Sequence, residues 1–370
     1  MRVLVNATLA GSKSSGLGHY VLSLLRELRE FPVDIIVLAT HPELFSGEFE
    51  TIHVKGPLGP EHGGKSNRLR YMWIQTSLRA LLRRLRPEVL LMPTHEVLLC
   101  PPVPQVVIIH DIIPFIFQKD HRFLGKYFRF VLPYALKTSA IRIITDSEST
   151  RNDLLRYYGI RGSRVVTVHA GPGLNLGFND LDQEIPEYFV LYVGRIAPYK
   201  NLSGLLDALS VLRDSFPHHL VIAGAGSPDN QRFIPELLER ARRLGLSERI
   251  SFLSYVPDSQ MGTLYKRASL LVLPSFYEGF GFPPLEAMRC GTPVAVSRIP
   301  ALVETVGTAG LFFDPADPND IARAIRMVLT DSSLRENLIR EGFRRSSDFS
   351  WKKTAERIYG VLQEVAGGSA

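Results

Sequence analysis

The sequence has only two cysteines, Cys100 and Cys290, and they lie far apart in a chain of 370 residues. Such a pair forms neither the dense pattern of a disulfide framework nor the close spacing of a zinc site. No apolar run approaches the roughly eighteen residues that a membrane-spanning helix needs. The first apolar stretch, Val3–Val5, is too short for the apolar core of a signal peptide. We therefore expect a cytoplasmic protein with reduced cysteines.

The composition is that of an ordinary globular protein. Hydrophobic residues make up 45% and charged residues 22% of the chain, and its length suffices for two domains with separate cores. The formal net charge is +6, which favours anionic partners such as phosphorylated ligands, nucleic acid or an anionic membrane surface. We do not expect nucleic-acid binding, because no aromatic and basic recognition motif accompanies the charge.

One stretch, residues 274–293, stands out by its residue order. A short apolar run that ends at Leu273 reads as a buried strand, and a glycine-rich loop with Glu278 follows it. Pro283 and Pro284 are then typical of the first turn of a helix, where no N–H is needed. A loop that leads into a helix N-terminus favours anions, above all phosphates.

Glu278 and Glu286 are separated by seven residues. Taken alone, they could be a helix cap and a solvent-facing carboxylate. In this context the stretch resembles the E-x7-E signature of the retaining glycosyltransferases of family 4. The resemblance implies an α/β protein of GT-B fold, with two doubly wound Rossmann-like domains facing a central cleft. It also implies that Glu278 binds hydroxyls of the transferred sugar and Glu286 the ribose of the nucleotide.

Two further segments resemble the same family. Gly194, Arg195 and Lys200 match its G-R-x4-K pattern, whose cations hold the donor diphosphate, and fixed cations suit a leaving group whose negative charge grows. His110 ends an apolar run, VVIIH, where open α/β sheets place ligands. The resemblance implies that the ring of His110 contacts the donor sugar, and we expect Asp111 to orient that ring.

The remaining site residues follow from the same resemblance and from glycine's freedom to let the backbone approach a ligand. The loop after the first strand contributes Gly16 and Gly18, with His19 beside them. The predicted contacts to the nucleotide and sugar in the second half are Gly224, Val256, Gly279, Phe280, Gly281, Phe282, Pro284 and Leu285.

The predicted domains are an acceptor-side domain over residues 1–177 and a nucleotide-sugar-binding domain over 178–349. A polar, glycine-rich connector at 171–186 separates them, and a helix over 350–366 crosses back to the first domain, with Trp351 as a packing anchor. Residues 71–86 predict a basic amphipathic helix, either a scaffold helix or one that lies on an anionic bilayer. The loop 56–67 is a candidate acceptor-facing segment.

The resemblance implies a retaining glycosyltransferase that moves a hexose from a nucleotide sugar to a glycan or lipid-linked acceptor, and we expect it to need neither cofactor nor metal. The segments around His110, Ser147 and Arg195 are most similar to mannosyltransferase-like enzymes of bacterial surface polysaccharide synthesis, which makes GDP-mannose the first candidate donor. A non-catalytic nucleotide-sugar or polyanion binding protein is the alternative from another class, because fold does not fix function. A GT-B phosphorylase or epimerase also stays open, whereas a two-carboxylate glycosidase suits Glu286 poorly.

Overall fold

The computed structural model describes residues 1–11, 16–59, 62, 64–173, 176–224, 231–253 and 255–368. Two predicted loops fall partly outside this range, at residues 12–15 and at residues 60, 61 and 63. The chain forms two compact units, one of Met1–Gly171 with the chain from Ser350 onward, and one of Pro172–Phe349. The chain thus enters the second unit at Pro172, a little before the predicted boundary after residue 177.

Each unit contains one parallel sheet. In the first unit the order is β3-β2-β1-β4-β5-β6-β7, and in the second β10-β9-β8-β11-β12-β13. The strands are β1 Arg2–Asn6, β2 Asp34–Ala39, β3 Glu50–His53, β4 Val89–Met92, β5 Gln105–Ile109, β6 Arg142–Thr145, β7 Val165–Thr167, β8 Phe189–Val193, β9 His219–Ala223, β10 Ile250–Leu253, β11 Leu270–Leu273, β12 Val294–Ser297 and β13 Leu311–Phe313. The inner strands are runs of Val, Ile and Leu because parallel sheets are buried on both faces.

Helices follow most of the strands. They are α1 Gly16–Leu28, α2 Gly64–Trp73, α3 Arg79–Leu85, α4 Ile113–Ile116, α5 Arg122–Lys126, α6 Leu132–Ser139, α7 Glu148–Tyr158, α8 Leu202–Leu212, α9 Ile234–Arg243, α10 Asp258–Arg267, α11 Phe282–Arg289, α12 Pro300–Val306, α13 Pro318–Thr330, α14 Ser332–Ser347 and α15 Trp351–Ala366. Wider π-helical turns at Ile74–Leu78 and Tyr127–Val131 join α2 to α3 and α5 to α6. Short 3-10 turns occur at Pro42–Leu44, Gln118–Asp120, Gly162–Arg164, Pro198–Lys200 and Ser247–Arg249.

The predicted helix over 71–86 is the end of α2, the π-turn and α3. Its apolar side chains point inward, since Leu78 and Leu82 are fully buried. Arg79 is held in place by hydrogen bonds from its guanidinium to the carbonyl oxygens of Leu99 and Cys100. This packing is that of a scaffold helix, with Arg83 and Arg84 left exposed.

In each sheet, the order in which successive strands are added reverses its direction at one point. The reversal lies between β1 and β4 in the first unit and between β8 and β11 in the second. Loops that follow the two strands at such a point diverge and leave a crevice at the carboxyl edge of the sheet, which is where open α/β sheets bind ligands. The predicted fold class, two doubly wound Rossmann-like α/β domains, is confirmed. Of the helices in the described ranges, none combines the length and the apolar character needed to traverse a bilayer.

Candidate active site

The loops at the reversal point of the second sheet bring two predicted residues together. Lys200 follows β8 and Glu278 follows β11, and Lys200 Nζ lies 2.6 Å from Glu278 Oε1. Only 12% of the lysine side chain and 10% of the glutamate side chain are exposed. Ser275 Oγ donates a second hydrogen bond to the same Oε1 at 2.6 Å. The crevice therefore contains a nearly enclosed ion pair with a hydroxyl bonded to it.

Backbone contacts fix the geometry of these two loops. The N–H of Phe276 donates to the carbonyl oxygen of Tyr199 at 2.8 Å, so the loops after β8 and β11 are joined directly. Tyr192 Oη donates to the carbonyl oxygen of Arg195 at 2.6 Å. That bond fixes the backbone of Arg195, while its side chain is exposed at the same edge of the sheet. Arg195 and Lys200 thus belong to one short, braced loop.

Two of the predicted glycines touch each other. Gly194 and Gly224 follow the paired strands β8 and β9 and have φ values of +146° and +123°, which favour glycine. A Cβ added to Gly224 would overlap the carbonyl oxygen of Gly194 and lie 2.9 Å from its carbonyl carbon. Glycine is therefore required at 224 for this close backbone approach.

The glycine-rich loop leads directly into α11. Gly281 precedes the helix with φ +104°, and prolines occupy its first turn. Thr305 Oγ1 donates to the carbonyl oxygen of Phe280 at 2.6 Å, and the Phe280 ring packs against the rings of Phe282 and Phe349. The side chains of Phe280, Pro284 and Leu285 are buried. These three residues can therefore meet a ligand mainly through their backbone.

Glu286 lies on α11 and is half-buried. Tyr265 Oη donates to Glu286 Oε2 at 2.5 Å. Burial raises the pKa of Glu286, the nearby carboxylate of Asp258 raises it further, and the hydrogen bond from Tyr265 opposes both. A Cβ at Gly173 would overlap Glu286 Oε1 and lie 2.8 Å from Cδ, so the backbone at 173 lies directly against the carboxylate.

Val256 follows β10, at the same edge as β9. Its side chain is buried and belongs to the apolar core of the second unit. A contact of Val256 with the nucleotide, as predicted, would therefore be made by its backbone.

In the first unit, His110 ends β5 and both of its ring nitrogens have protein partners. Nδ1 is in close contact with Asp146 Oδ2, and Nε2 lies 2.9 Å from the carbonyl oxygen of Pro93. The expectation that Asp111 orients this ring is wrong, because Asp111 Oδ1 instead accepts the N–H of Ile113 at 2.8 Å. Asp146 takes that position because β5 and β6 are paired in register.

Aromatic side chains enclose the other side of the His110 ring. The ring of Tyr20 on α1 meets it edge-on at 4.6 Å between centroids, and Trp351 on α15 meets Tyr20 at 5.0 Å. Trp351 is the predicted packing anchor, and Gly171 lies so close that a Cβ there would be 2.5 Å from the Trp351 backbone nitrogen. Gly16 begins α1, and beyond its chain neighbours and its own helix backbone no atom of the residues that the structure describes lies within 4 Å of a Cβ built there, whereas Gly18 is buried within the helix.

Among the described residues, Ser275, Tyr265 and Asp146 contact the carboxylates and the histidine of the predicted site through their side chains, and none of the three was found from the sequence. The sequence contains a signal for a site residue at Asp146, because Asp146 directly follows an apolar strand as His110 does. Ser275 and Tyr265 gave none, because an ordinary serine and tyrosine in those positions are equally compatible with structural roles.

Comparison with known proteins places this geometry in a family. The family model described as Glycosyltransferase Family 4 matches residues 14–172, and that described as Glycosyl transferases group 1 matches residues 179–345. O-antigen chain mannosyltransferase B of Escherichia coli is 37% identical over 228 residues, 58% of each chain. O-antigen chain mannosyltransferase RfbU of Salmonella typhimurium is 28% identical over 345 residues, which is 90% of this chain and 94% of that protein.

Coverage of the relatives differs widely. The chain spans 58% of the length of mannosyltransferase B and 35% of the length of the serotype-specific mannosyltransferase WbdA of Escherichia coli, to which it is 32% identical over 294 residues. Among solved structures, sucrose-phosphate synthase from Thermosynechococcus elongatus has a TM-score of 0.79 at 21% identity and covers 99% of both chains. HepE of Anabaena in complex with UDP-glucose has a TM-score of 0.75 at 18% identity, over 98% of this chain and all of that one.

The solved structures identify the fold as GT-B. The two family models follow one another along the chain and divide it where the two units divide. The pair of matches, the relatives and the fold agree, and this chain belongs to the glycosyltransferases of family 4.

Proposed function

We propose that this protein is a retaining glycosyltransferase that transfers a hexose from a nucleotide sugar to a glycan or lipid-linked acceptor in surface polysaccharide or glycoconjugate synthesis. The single observation that carries the proposal is the Lys200–Glu278 pair at the reversal point of the second sheet. That position is the ligand crevice of a doubly wound sheet. It combines a cation for phosphate with a carboxylate for sugar hydroxyls.

The cations have a clear role in such a reaction. The bond between the anomeric carbon and the phosphate oxygen breaks, and negative charge grows on the departing nucleoside diphosphate. Lys200 and the exposed Arg195 lie on one loop with a braced backbone, which places both cations at the crevice where that charge develops. The N-terminus of α11 adds a dipole of the same sign.

The carboxylates accept hydrogen bonds from hydroxyl groups. We assign Glu278 to hydroxyls of the transferred sugar and Glu286, held by Tyr265, to the ribose of the nucleotide. We assign His110 to the donor sugar on the basis of the family resemblance. The acceptor oxygen forms its bond to the anomeric carbon on the face that the diphosphate leaves, and its proton passes to an oxygen of the departing diphosphate. This route retains the configuration and needs no protein nucleophile.

Metal independence is part of the proposal, as is the absence of a cofactor. Two protein cations and a helix N-terminus supply the charge that a divalent ion would otherwise supply. Adding a chelator should leave the transfer rate within about twofold. A complete loss of activity that Mg²⁺ or Mn²⁺ restores would contradict this part.

The donor is tested with a panel of GDP- and UDP-sugars, of which GDP-mannose is the first candidate because the mannosyltransferases above are similar in sequence. Thermal stabilisation and slow donor hydrolysis are measured for the unaltered chain and for Lys200→Met and Glu278→Gln. Lys352→Met and Glu356→Gln, at exposed positions on α15, are the matched controls. The anomeric configuration of the product, read by NMR, tests retention.

The expected result is one donor that stabilises the protein and is hydrolysed, with both effects lost in the two site variants and kept in the controls. Stabilisation by a nucleotide sugar without hydrolysis or transfer to any glycan would favour the non-catalytic binding protein instead. If no nucleotide sugar stabilises the chain, the proposed donor site is wrong.

An anionic membrane surface is the partner that we propose for the first unit, with the protein cytoplasmic and peripheral at the inner face of the plasma membrane. Phe130 and Tyr134 are 67% and 62% exposed, and the exposed Lys137 continues their line at helical spacing. The Arg129 guanidinium lies 5.5 Å from the Phe130 ring. Aromatic rings beside cations suit the headgroup region of an anionic bilayer.

Vesicle co-sedimentation tests this surface. Binding to vesicles with phosphatidylglycerol but not to pure phosphatidylcholine vesicles is expected, and Phe130→Ser with Tyr134→Ser should weaken it about tenfold or more. Tyr157→Ser, which removes an exposed ring on α7, is the control. Equal binding by the control and the double variant would contradict the assignment.

A further inference from the structure

The carboxyl edge of the first sheet contains a buried pair, His110 and Asp146, of which the proposed reaction has so far used only His110. His110 and Asp146 follow β5 and β6, whose last residues Ile109 and Thr145 are register partners. The two side chains therefore leave neighbouring strands side by side, and Nδ1 contacts Oδ2. Only 11% of the histidine side chain and 1% of the aspartate side chain are exposed.

The partners of the two ring nitrogens constrain the protons on the ring. The Pro93 carbonyl oxygen, 2.9 Å from Nε2, can only accept a hydrogen bond, so Nε2 must donate. An ionised Asp146 can likewise only accept, so Nδ1 must donate as well. A neutral imidazole has one N–H, whereas an imidazolium has two. Both contacts are satisfied at once by an imidazolium beside an aspartate anion.

The charged and titratable groups around the ring agree with this assignment. Asp111 adds a second carboxylate, and Tyr20, buried against the ring, has a pKa raised well above its ordinary value by burial and by Asp146. His95 is a neutral neighbour, because burial, Arg70 and His110 lower its pKa to about 3. Burial alone lowers the pKa of His110, but Asp146, Pro93 and Asp111 outweigh burial and raise it.

We propose that Asp146 is a positioning residue that holds His110 as an imidazolium, so that His110 acts in the transfer reaction as a charged hydrogen-bond donor and not as a base. This inference rests on the proposed glycosyltransferase function. An imidazolium has no lone pair with which to take the acceptor's proton, which agrees with a route in which that proton passes to the departing diphosphate. On donor binding, the Nε2 hydrogen bond passes from the Pro93 carbonyl to an oxygen of the donor.

The protonation state can be measured without any substrate. The full chain is labelled with ¹⁵N and ¹³C in histidine, and the His110 signals are assigned by their loss in His110→Gln. We expect imidazolium shifts that persist at neutral pH and titrate at higher pH than a free histidine, and a titration at lower pH in Asp146→Asn. A neutral ring at pH 7 in the unaltered chain would overturn the proposal, including the case of a protonated Asp146.

The pH dependence of transfer then separates positioning from a merely structural role. Asp146→Asn should keep the transfer activity to within a few fold at pH 6 and lower it about tenfold to a hundredfold at pH 8. This factor corresponds to the loss of one hydrogen bond to a charged group. Asp146→Glu should restore part of the alkaline activity. The carboxylate of Asp111 accepts the N–H of Ile113. Asp111→Asn should therefore lower the transfer activity at alkaline pH less than Asp146→Asn does.

The outcomes are distinguishable. Suppose that Asp146→Asn lowers the transfer activity by the same factor at every pH, while His110 titrates in this variant as it does in the unaltered chain. Asp146 would then have a role in folding alone, and the proposal would be overturned. If no donor is ever turned over, the proposed function fails, while the NMR titration still decides whether His110 is held as an imidazolium.

Discussion

The enclosed Lys200–Glu278 pair makes a quantitative prediction. Lys200→Met or Glu278→Gln removes one charge and leaves its partner with little water, since the side chains are 12% and 10% exposed. Breaking a buried pair in this way typically costs about 3–5 kcal/mol. We expect the lower end, because Ser275 still donates to Glu278 in the first variant and a glutamine still accepts from Ser275 in the second. A domain the size of residues 172–349 melts about 2–4 °C lower per kcal/mol, so each single variant should melt about 6–12 °C lower.

The double variant removes both charges and should lose less than the sum of the single losses. The expected coupling free energy is about 1–3 kcal/mol. It is measured by denaturant unfolding of the four proteins, with donor binding measured well below the lowest melting temperature. Donor affinity should stay low in the double variant even though part of the stability returns. Strictly additive losses, or undiminished donor binding in any variant, would refute the interpretation that this pair is both coupled and functional.

Four further outcomes follow from the same structure. Gly173→Ala places a Cβ 2.8 Å from Glu286 Cδ and should weaken nucleotide binding about tenfold by calorimetry. Gly224→Ala, at φ +123°, should lower the free energy of unfolding by about 2–3 kcal/mol in urea. Gly360→Ala, in open space on an exposed helix position, should raise it by about 0.5–1 kcal/mol and serves as the control for both. Because the pKa of His110 is raised on folding, its contribution to stability is fully present below about pH 6.5 and is lost as the pH rises through the raised value, so the stability difference from His110→Gln should shrink at alkaline pH.

The local order of elements was predictable because it depends on neighbouring residues. The apolar run before Pro274, the glycines and the proline pair predict strand, loop and helix, and the structure has β11, the loop and α11 in that order. The run without charged residues begins at Ala268, whereas β11 begins at Leu270, because Ala268 and Ser269 lead out of α10. Such small errors arise where several residues are compatible with either state.

Contacts between distant segments were not predictable in the same way. The Lys200–Glu278 pair joins residues 78 positions apart, and only the strand order β8-β11 makes them neighbours. The error at Asp111 has the same cause. Adjacent side chains at the end of a strand point to opposite sides, so the residue that reaches His110 comes from the neighbouring strand. Sequence proximity favoured Asp111, whereas register pairing selects Asp146.

The first unit is built from two separate parts of the chain, and this affects the order in which it can form during synthesis. Helix α15 packs against α1, and its buried side chains include Ile358 and Leu362. A ribosome releases all of the second unit before these residues emerge. The apolar face of α1 therefore stays uncovered while residues 172–349 fold, a period in which exposed apolar surface favours chaperone binding or aggregation. A chain that stops at Phe349 would remain in that state permanently.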